Sequence, residues 1–171
     1  MKYLIVVDMQ KDFVDGALGS TEAATILPAV NQKIDSFAGN IIYTLDTHEE
    51  NYLNTQEGKN LPIPHCIRNS DGWQLHSSLH RAKDAMYFEK PTFGSTELAS
   101  YLSLQHEKES IEMITLIGLC TDICIISNAL LLKASLPEVP ICVDSSCCAG
   151  VTPDSHIQAL NAMKMCQIII Q

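Results

Sequence analysis

The chain has 171 residues, the length of one domain, and we expect a single domain over residues 1–171. Its eleven Lys and Arg against twenty Asp and Glu give a net charge of −9, which argues against nucleic acid or an anionic membrane surface as partner, since both favour a basic patch. No apolar run approaches the ~20 residues of a membrane-spanning helix, and the N-terminal apolar stretch stops at Asp8, so no cleavable signal is expected. We therefore expect a cytoplasmic protein.

The seven cysteines do not suggest a disulfide framework. Their number is odd, and no signal is expected to lead the chain out of the reducing cytosol. Several lie in apolar runs, where a free thiol behaves as a small hydrophobic residue. We expect most of them to lie in the core and at least one to have a chemical role.

Six short apolar runs are predicted to be strands. The first is a continuous β-branched run, as is typical of strands buried on both faces of a parallel sheet. In chain order the predicted strands cover residues 3–7, 40–45, 84–88, 113–117, 139–143 and 167–170.

Helical segments alternate with these strands. They are predicted at residues 27–37, from Ser95 or Thr96 to residue 104, over residues 122–134, and from Pro153 onward. This alternation predicts an α/β fold with a parallel sheet and helices on both faces. Residues 46–83 fit neither pattern, and so long an irregular stretch in a compact domain is usually functional.

Polar residues follow several of the strands. Asp8 follows the first strand, the pair Asp46 and His48 the second, Lys90 the third, and Cys124 lies beyond the fourth. Each has an ordinary explanation by itself: a turn or cap for an Asp, the surface for a Lys, the core for a Cys. Because ligands bind beyond the carboxyl ends of parallel strands, their convergence favours a functional site.

The loop after the fourth strand holds two thiols, and position favours Cys124 as the reactive one. If Thr121 or Asp122 caps the following helix, Cys124 lies in its first turn, where free N–H groups and the helix dipole lower a thiol pKa and can bind an oxyanion. Cys120 precedes the helix and would offer mainly its backbone. A buried packing role for Cys124 stays open.

A second group of residues suits a metal. Asp46 and His48 are two apart in an extended chain and point the same way, and Glu57 and His65 follow. Asp, Glu and His suit a divalent transition metal, with zinc expected first and iron or manganese as alternatives. Asp46 could instead serve as a cap.

With these residues identified, the chain resembles the isochorismatase-like cysteine hydrolases, and within them the nicotinamidases. The resemblance runs from end to end and rests on residues 5–13, 46–48, 64–66, 88–96 and 118–125. It implies a three-layer α/β/α fold around a central, mostly parallel six-stranded sheet. It also implies a homo-oligomer.

The resemblance assigns roles to particular residues. It implies a catalytic triad of Asp8, Lys90 and Cys124, and a cis peptide between Leu119 and Cys120 that directs the Cys120 N–H, with that of Cys124, at the substrate oxygen. Phe13 takes the position of an aromatic wall of the substrate pocket.

The resemblance also implies metal ligands and shows two departures. Asp46, His48 and His65 map onto the ligands of metal-binding members, with Glu57 as a candidate fourth. Many members have Trp where this chain has Thr47, and residues 61–64 lack the Trp that commonly precedes the second His. Trp73 lies beyond His65.

The expected function is metal-assisted cysteine amidohydrolysis of nicotinamide, or a similar small amide, to the acid and ammonia through a thioester. The alternatives are a related hydrolase acting on another small amide or a ureido compound, and a non-catalytic homologue that binds a small molecule.

Overall fold

The computed structural model describes all 171 residues. Its centre is one sheet of six strands in the order β3-β2-β1-β4-β5-β6, and every neighbouring pair is parallel. The predicted six-stranded, mostly parallel sheet is therefore confirmed. The strands are β1 Lys2–Val7, β2 Asn40–Asp46, β3 Met86–Lys90, β4 Met113–Leu119, β5 Ile141–Ala149 and β6 Ile169–Ile170.

Helices surround this sheet in the connections between strands. The α-helices are α1 Lys11–Val14, α2 Thr21–Ser36, α3 Gln56–Asn60, α4 Thr96–Lys108, α5 Ile126–Ser135 and α6 Pro153–Met165. A 3-10 turn covers Tyr52–Asn54, and a π-helical turn over Thr121–Ile125 leads directly into α5. None of the helices is long and apolar enough to cross a membrane.

The core divides into two layers, one on each face of the sheet. Along β1, Tyr3, Ile5 and Val7 belong to one buried cluster, which includes residues of α4, α5 and α6. The alternate residues Leu4 and Val6 belong to the other cluster, which includes residues of α1 and α2. This alternation follows the two-residue period of a strand and produces the expected three-layer architecture.

Two of the predicted boundaries differ most from the structure. Helix α2 begins at Thr21 rather than at residue 27, because the hydroxyl of Ser20 accepts from the Ala23 N–H at 3.0 Å and caps the helix there. Pro28 therefore lies inside the helix and not at its start. The fifth strand, predicted at residues 139–143, runs over Ile141–Ala149.

The ends of β1 and β4 approach very closely. Gly118 pairs with Val7 and has a φ of +114°, and a Cβ added to it would lie 2.2 Å from the Val7 carbonyl oxygen. Only glycine fits there without displacing the neighbouring strand. This approach places the residue after β1 and the loop after β4 side by side, at the carboxyl edge of the sheet.

Candidate active site

Three functional side chains from different elements meet at this edge. Asp8 follows β1 with a φ of +49°, Lys90 is the last residue of β3, and Cys124 lies in the π-helical turn after β4. The Lys90 Nζ is 2.6 Å from the Asp8 Oδ2 and donates a hydrogen bond to the Cys124 Sγ at 3.3 Å. The structure thus brings the three residues of the expected triad together.

The three side chains of this group are almost entirely buried. Asp8 is fully buried, and Lys90 and Cys124 are 1% and 4% exposed. The hydroxyl of Thr44 on β2 donates to the Asp8 Oδ1 at 2.6 Å. Lys90 also contacts a second carboxylate, because its Nζ lies 3.4 Å from the Asp46 Oδ1.

Burial acts on the pKa of each of the three groups. It raises the pKa of the Cys124 thiol well above its ordinary value; the Asp8 carboxylate raises it further and the Lys90 ammonium opposes the rise. The expected lowering of this thiol pKa is therefore wrong: desolvation outweighs the helix N-terminus and the lysine. Burial also raises the pKa of Asp8, against the opposing charge of Lys90.

Lys90 behaves differently from a lone buried lysine. Burial by itself would lower the pKa of its ammonium group, but the negative charge of Asp8, followed by the ionised form of Cys124 and the charge of Asp46, raises it. These pKa directions favour an ammonium form of Lys90 beside a protonated Cys124 thiol.

The loop between β4 and Cys124 presents backbone donors to the same place. The peptide bond between Leu119 and Cys120 is cis. The Cys120 carbonyl accepts from the N–H groups of Ile123 at 3.1 Å and Ile125 at 3.0 Å, and not from that of Cys124. The Cys120 N–H donates to no backbone acceptor. The Cys120 N–H is therefore a free donor of the kind that an oxyanion requires.

The expected side-chain cap of this helix is wrong. Cys120 occupies the cap position and makes no capping hydrogen bond. The carboxylate of Asp122 instead accepts from the Val151 N–H at 3.1 Å, and the hydroxyl of Thr121 is hydrogen-bonded to the His156 Nδ1 at 2.8 Å. These two polar side chains connect the turn to α6 and to the segment that precedes it.

A second cluster adjoins the first and could hold a metal. Asp46 is the last residue of β2, and its Oδ2 lies 2.9 Å from the His48 Nε2 and 3.6 Å from the His65 Nε2. One ligand atom from each of these three buried residues lies within 4.8 Å of the others. The Glu57 Oε1, on α3, is 3.5 Å from the His48 Nε2 and 3.7 Å from the His65 Nε2.

The donor atoms of this cluster fit a divalent cation. The buried Nε2 of His48 has no hydrogen-bonding partner, although the Asp46 Oδ2 is close, and a buried polar atom without a partner is costly. The Nδ1 of His65 is 2.8 Å from the Ile63 carbonyl, to which it can donate, leaving the Nε2 lone pair free for a metal. The two histidines and Lys90 hold the pKa of Asp46 well below its usual range, although burial acts to raise it.

Two supporting residues escaped the sequence analysis. The side chain of Gln10 clamps the backbone of Asp46, donating to its carbonyl at 2.8 Å and accepting from its N–H at 2.7 Å. The buried ring of Tyr52 packs against the rings of His48 and His65, with centroids 4.7 and 5.0 Å apart. Gln10 lies two residues after Asp8 in the same motif, and this position could have identified it from the sequence. No sequence pattern identifies Tyr52.

A cavity of about 560 Å³ opens onto Cys124 and the metal-binding cluster. The Phe13 ring is 5.5 Å from that of His65 and lines this cavity, and its contact with a substrate stays a prediction. Trp73 does not line the cavity, and its indole N–H donates to the Thr47 hydroxyl at 2.9 Å. The apolar part of the lining includes Phe13, Leu18, Leu61, Pro91, Phe93 and Ile123.

Comparison with known proteins gives consistent matches. The isochorismatase domain matches residues 2–171. The nicotinamidase/pyrazinamidase of Mycobacterium tuberculosis is 24% identical, covering 98% of this chain and 97% of its own. The nicotinamidase of Escherichia coli is 30% identical over 71% of each chain. The structure of the Pyrococcus horikoshii pyrazinamidase in complex with zinc superposes with a TM-score of 0.85 at 28% identity, covering 99% of this chain and 98% of that one.

Proposed function

The chain belongs to the isochorismatase domain family, and on that premise we propose that it is a cysteine amidohydrolase of nicotinamidase type. It converts nicotinamide, or a similar small aromatic amide, into the carboxylic acid and ammonia. The observation that carries the proposal is the buried contact of Lys90 with both Asp8 and Cys124 at the base of a cavity. The matches to a nicotinamidase and to two pyrazinamidases support the choice of substrate.

The first chemical step follows from the protonation states. Because burial keeps the Cys124 sulfur protonated, a base must remove its proton as the sulfur attacks the amide carbon. Asp8 is that base, and the Thr44 hydroxyl and the Lys90 ammonium stabilise its ionised form. Lys90 also faces the sulfur and stabilises the negative charge that develops on it.

In the remaining steps Asp8 gives up the proton that it has accepted and later takes up another. The substrate oxygen takes up negative charge between the N–H groups of Cys120 and Cys124. The C–N bond breaks, Asp8 returns its proton to the leaving nitrogen, and ammonia departs from a thioester on Cys124. Asp8 then takes a proton from water, whose oxygen attacks the thioester carbon. The C–S bond breaks, the acid is released, and Asp8 gives its proton to the Cys124 sulfur, which restores the thiol.

Asp46, His48 and His65 would hold a divalent metal beside this triad, with Glu57 as the candidate fourth ligand. Zinc is proposed first, because a pyrazinamidase relative was solved in complex with zinc and the donor set suits it. When bound, the cation supplies a Lewis-acidic point that orients the substrate through its ring nitrogen. A homo-oligomeric state and a cytoplasmic location stay predictions from the sequence.

One observation favours a second candidate function. The cavity has no aromatic residue from residues 61–64, where Leu61 lines it instead, and Trp73 points elsewhere. With fewer aromatic side chains to stack on a flat ring, the cavity would select less strongly for an aromatic amide over other small substrates. The second candidate is thus the same chemistry on another small amide or a ureido compound.

Ammonia release from nicotinamide, benzamide and propionamide tests the proposal, with zinc-loaded and chelated protein compared. We expect nicotinamide to give the highest kcat/KM and benzamide, which lacks the ring nitrogen, a lower one. Equal rates on the two aromatic amides would remove the metal from substrate recognition. Hydrolysis of propionamide alone would favour the second candidate, and no ammonia from any of the three amides would contradict the nicotinamidase-type proposal.

A further inference from the structure

We propose that Asn128 is a positioning residue that holds Phe93 as the second aromatic wall of the cavity, at a fixed distance from Cys124. Asn128 lies on α5, one helical turn beyond Cys124, and is 1% exposed. The inference rests on the proposed function, which makes Cys124 the nucleophile and the cavity the substrate pocket.

The amide of Asn128 joins two separate parts of the chain. Its Nδ2 donates to the Cys124 carbonyl at 2.8 Å and to the Phe93 carbonyl at 3.0 Å. Its Oδ1 accepts from the N–H of Ser95, the cap residue of α4, at 2.9 Å. Both amide protons and the oxygen are therefore used, which requires the shape and both polar ends of an asparagine.

The segment from Pro91 to Gly94 depends on this amide. It connects Lys90 to α4, and its backbone makes no hydrogen bond to the backbone of the rest of the protein. Apart from a contact within the segment, from the Thr92 hydroxyl to the Gly94 carbonyl, its only side-chain hydrogen bond is the one from Asn128. Gly94 packs on α5, where an added Cβ would lie 3.2 Å from the Ser127 carbonyl oxygen. The position of Phe93 thus follows that of α5.

Phe93 is placed to serve as a wall. It lines the cavity together with Phe13 and Cys124, yet 44% of it is exposed. An exposed aromatic residue at a cavity gains burial when a flat ring enters beside it. Because residues 61–64 supply no aromatic ring, Phe93 is the remaining phenyl group besides Phe13 that can contact an aromatic substrate.

Asn128→Thr separates the hydrogen bond to Cys124 from those to Phe93 and Ser95. A helical Thr can still donate to the carbonyl four residues earlier, here that of Cys124, but its short side chain cannot also reach Phe93 and Ser95. Phe93→Ala removes the wall directly. Asn161→Thr is the matched control, since Asn161 is an exposed residue of α6 away from the cavity.

The measured quantities are kcat and KM for nicotinamide and propionamide. We expect Asn128→Thr and Phe93→Ala each to raise the nicotinamide KM by about 3- to 10-fold, the size of an aromatic contact. The selectivity for nicotinamide over propionamide falls by the same factor, and Asn161→Thr matches the wild type. In the Phe93→Ala background, Asn128→Thr should have little further effect on KM, because it acts through the missing ring.

An unchanged selectivity in Asn128→Thr, or additive effects of the two changes, would overturn the proposal. A fall in kcat of equal size on both amides would also overturn it, since that would indicate a structural role. Melting temperatures of all variants identify any that fail to fold. Phe93→Ala, an exposed position, then still tests the wall.

Calorimetric titration with nicotinate separates this inference from the proposed function. We expect nicotinate to bind several-fold more weakly to Asn128→Thr and Phe93→Ala than to the wild type. If the wild type releases no ammonia but this difference in binding persists, the proposed function fails and the inference stands. If the wild type hydrolyses nicotinamide and all variants bind nicotinate equally, the inference fails alone.

Discussion

Asp8, Lys90 and Cys124 are buried together, and their protonation follows from that burial. A fully buried carboxylate next to a neutral thiol would be costly by itself, but the Lys90 ammonium at 2.6 Å and the Thr44 hydroxyl at 2.6 Å stabilise it. Sequence reasoning placed these three residues at one edge of the sheet, where the structure has them, but assigned the thiol a lowered pKa. The position of a residue in a helix can be read from a sequence, and its depth of burial cannot. In the proposed mechanism, a protonated thiol requires Asp8 as its base.

Thr44→Val should move the acid limb of the activity profile to higher pH. In the proposed mechanism Asp8 acts in its ionised form, so kcat/KM is lost as pH falls through the Asp8 pKa, which burial already raises. The Thr44 hydrogen bond favours the carboxylate and lowers that pKa, so its removal raises the pKa further. The measurement is kcat/KM for nicotinamide as a function of pH.

Thr115→Val is the control for this prediction. Thr115 is a buried residue of β4, opposite Leu4 in the register, and the same change there leaves Asp8 untouched. Identical acid limbs for wild type and Thr44→Val would contradict the assignment of Asp8 as the base.

The connection between β2 and β3 carries most of the metal-binding cluster, and it is the element the sequence described least. Its length identified it as functional, but only a 3-10 turn and the five-residue α3 are regular. Long-range contacts set its course: the Asp12 carboxylate accepts from the Cys66 N–H at 2.8 Å, and Gln10 clamps Asp46. Such contacts have no period along the chain, so the ligand types could be predicted and their placement could not.

His48→Ala should lower zinc content by at least about tenfold, a typical loss for an altered metal site. His48 contributes the buried Nε2 that has no partner in the protein. Metal analysis after dialysis against limiting zinc gives the occupancy, with His80→Ala as control because His80 is exposed and paired with Asp35. Full occupancy in His48→Ala would mean that the metal binds elsewhere.

At the scale of the whole molecule, the architecture could be predicted from the sequence. Features that depend on contacts between distant parts of the chain could not. β-branched runs alternating with helical segments predicted a parallel sheet, and the carboxyl-edge rule then brought Asp8, Asp46, Lys90 and Cys124 together. The start of α2 and the free cap at Cys120 were missed, because each depends on which of several polar residues finds a partner. The role of Asn128 depends on the segment after β3 packing on α5, which no local pattern reveals.

The metal-binding cluster joins β2 to the irregular connection, so zinc should stabilise the entire fold. A ligand that binds only the folded state raises its stability, by about 2.7 kcal/mol at a hundredfold excess over Kd. For a chain of this size we expect the melting temperature to rise by roughly 5–10 °C with zinc. Calorimetric melting of chelated and zinc-loaded protein measures it. The same rise in His48→Ala would contradict the assigned ligands.

The most direct test of the central claim is ammonia release from nicotinamide by the zinc-loaded wild type and by Cys124→Ala. Cys166→Ala serves as control, because Cys166 is exposed and does not line the cavity. The account predicts turnover by the wild type and by Cys166→Ala, and a loss of at least about 10³-fold in Cys124→Ala, the scale of a missing nucleophile. Substantial ammonia release by folded Cys124→Ala would contradict it.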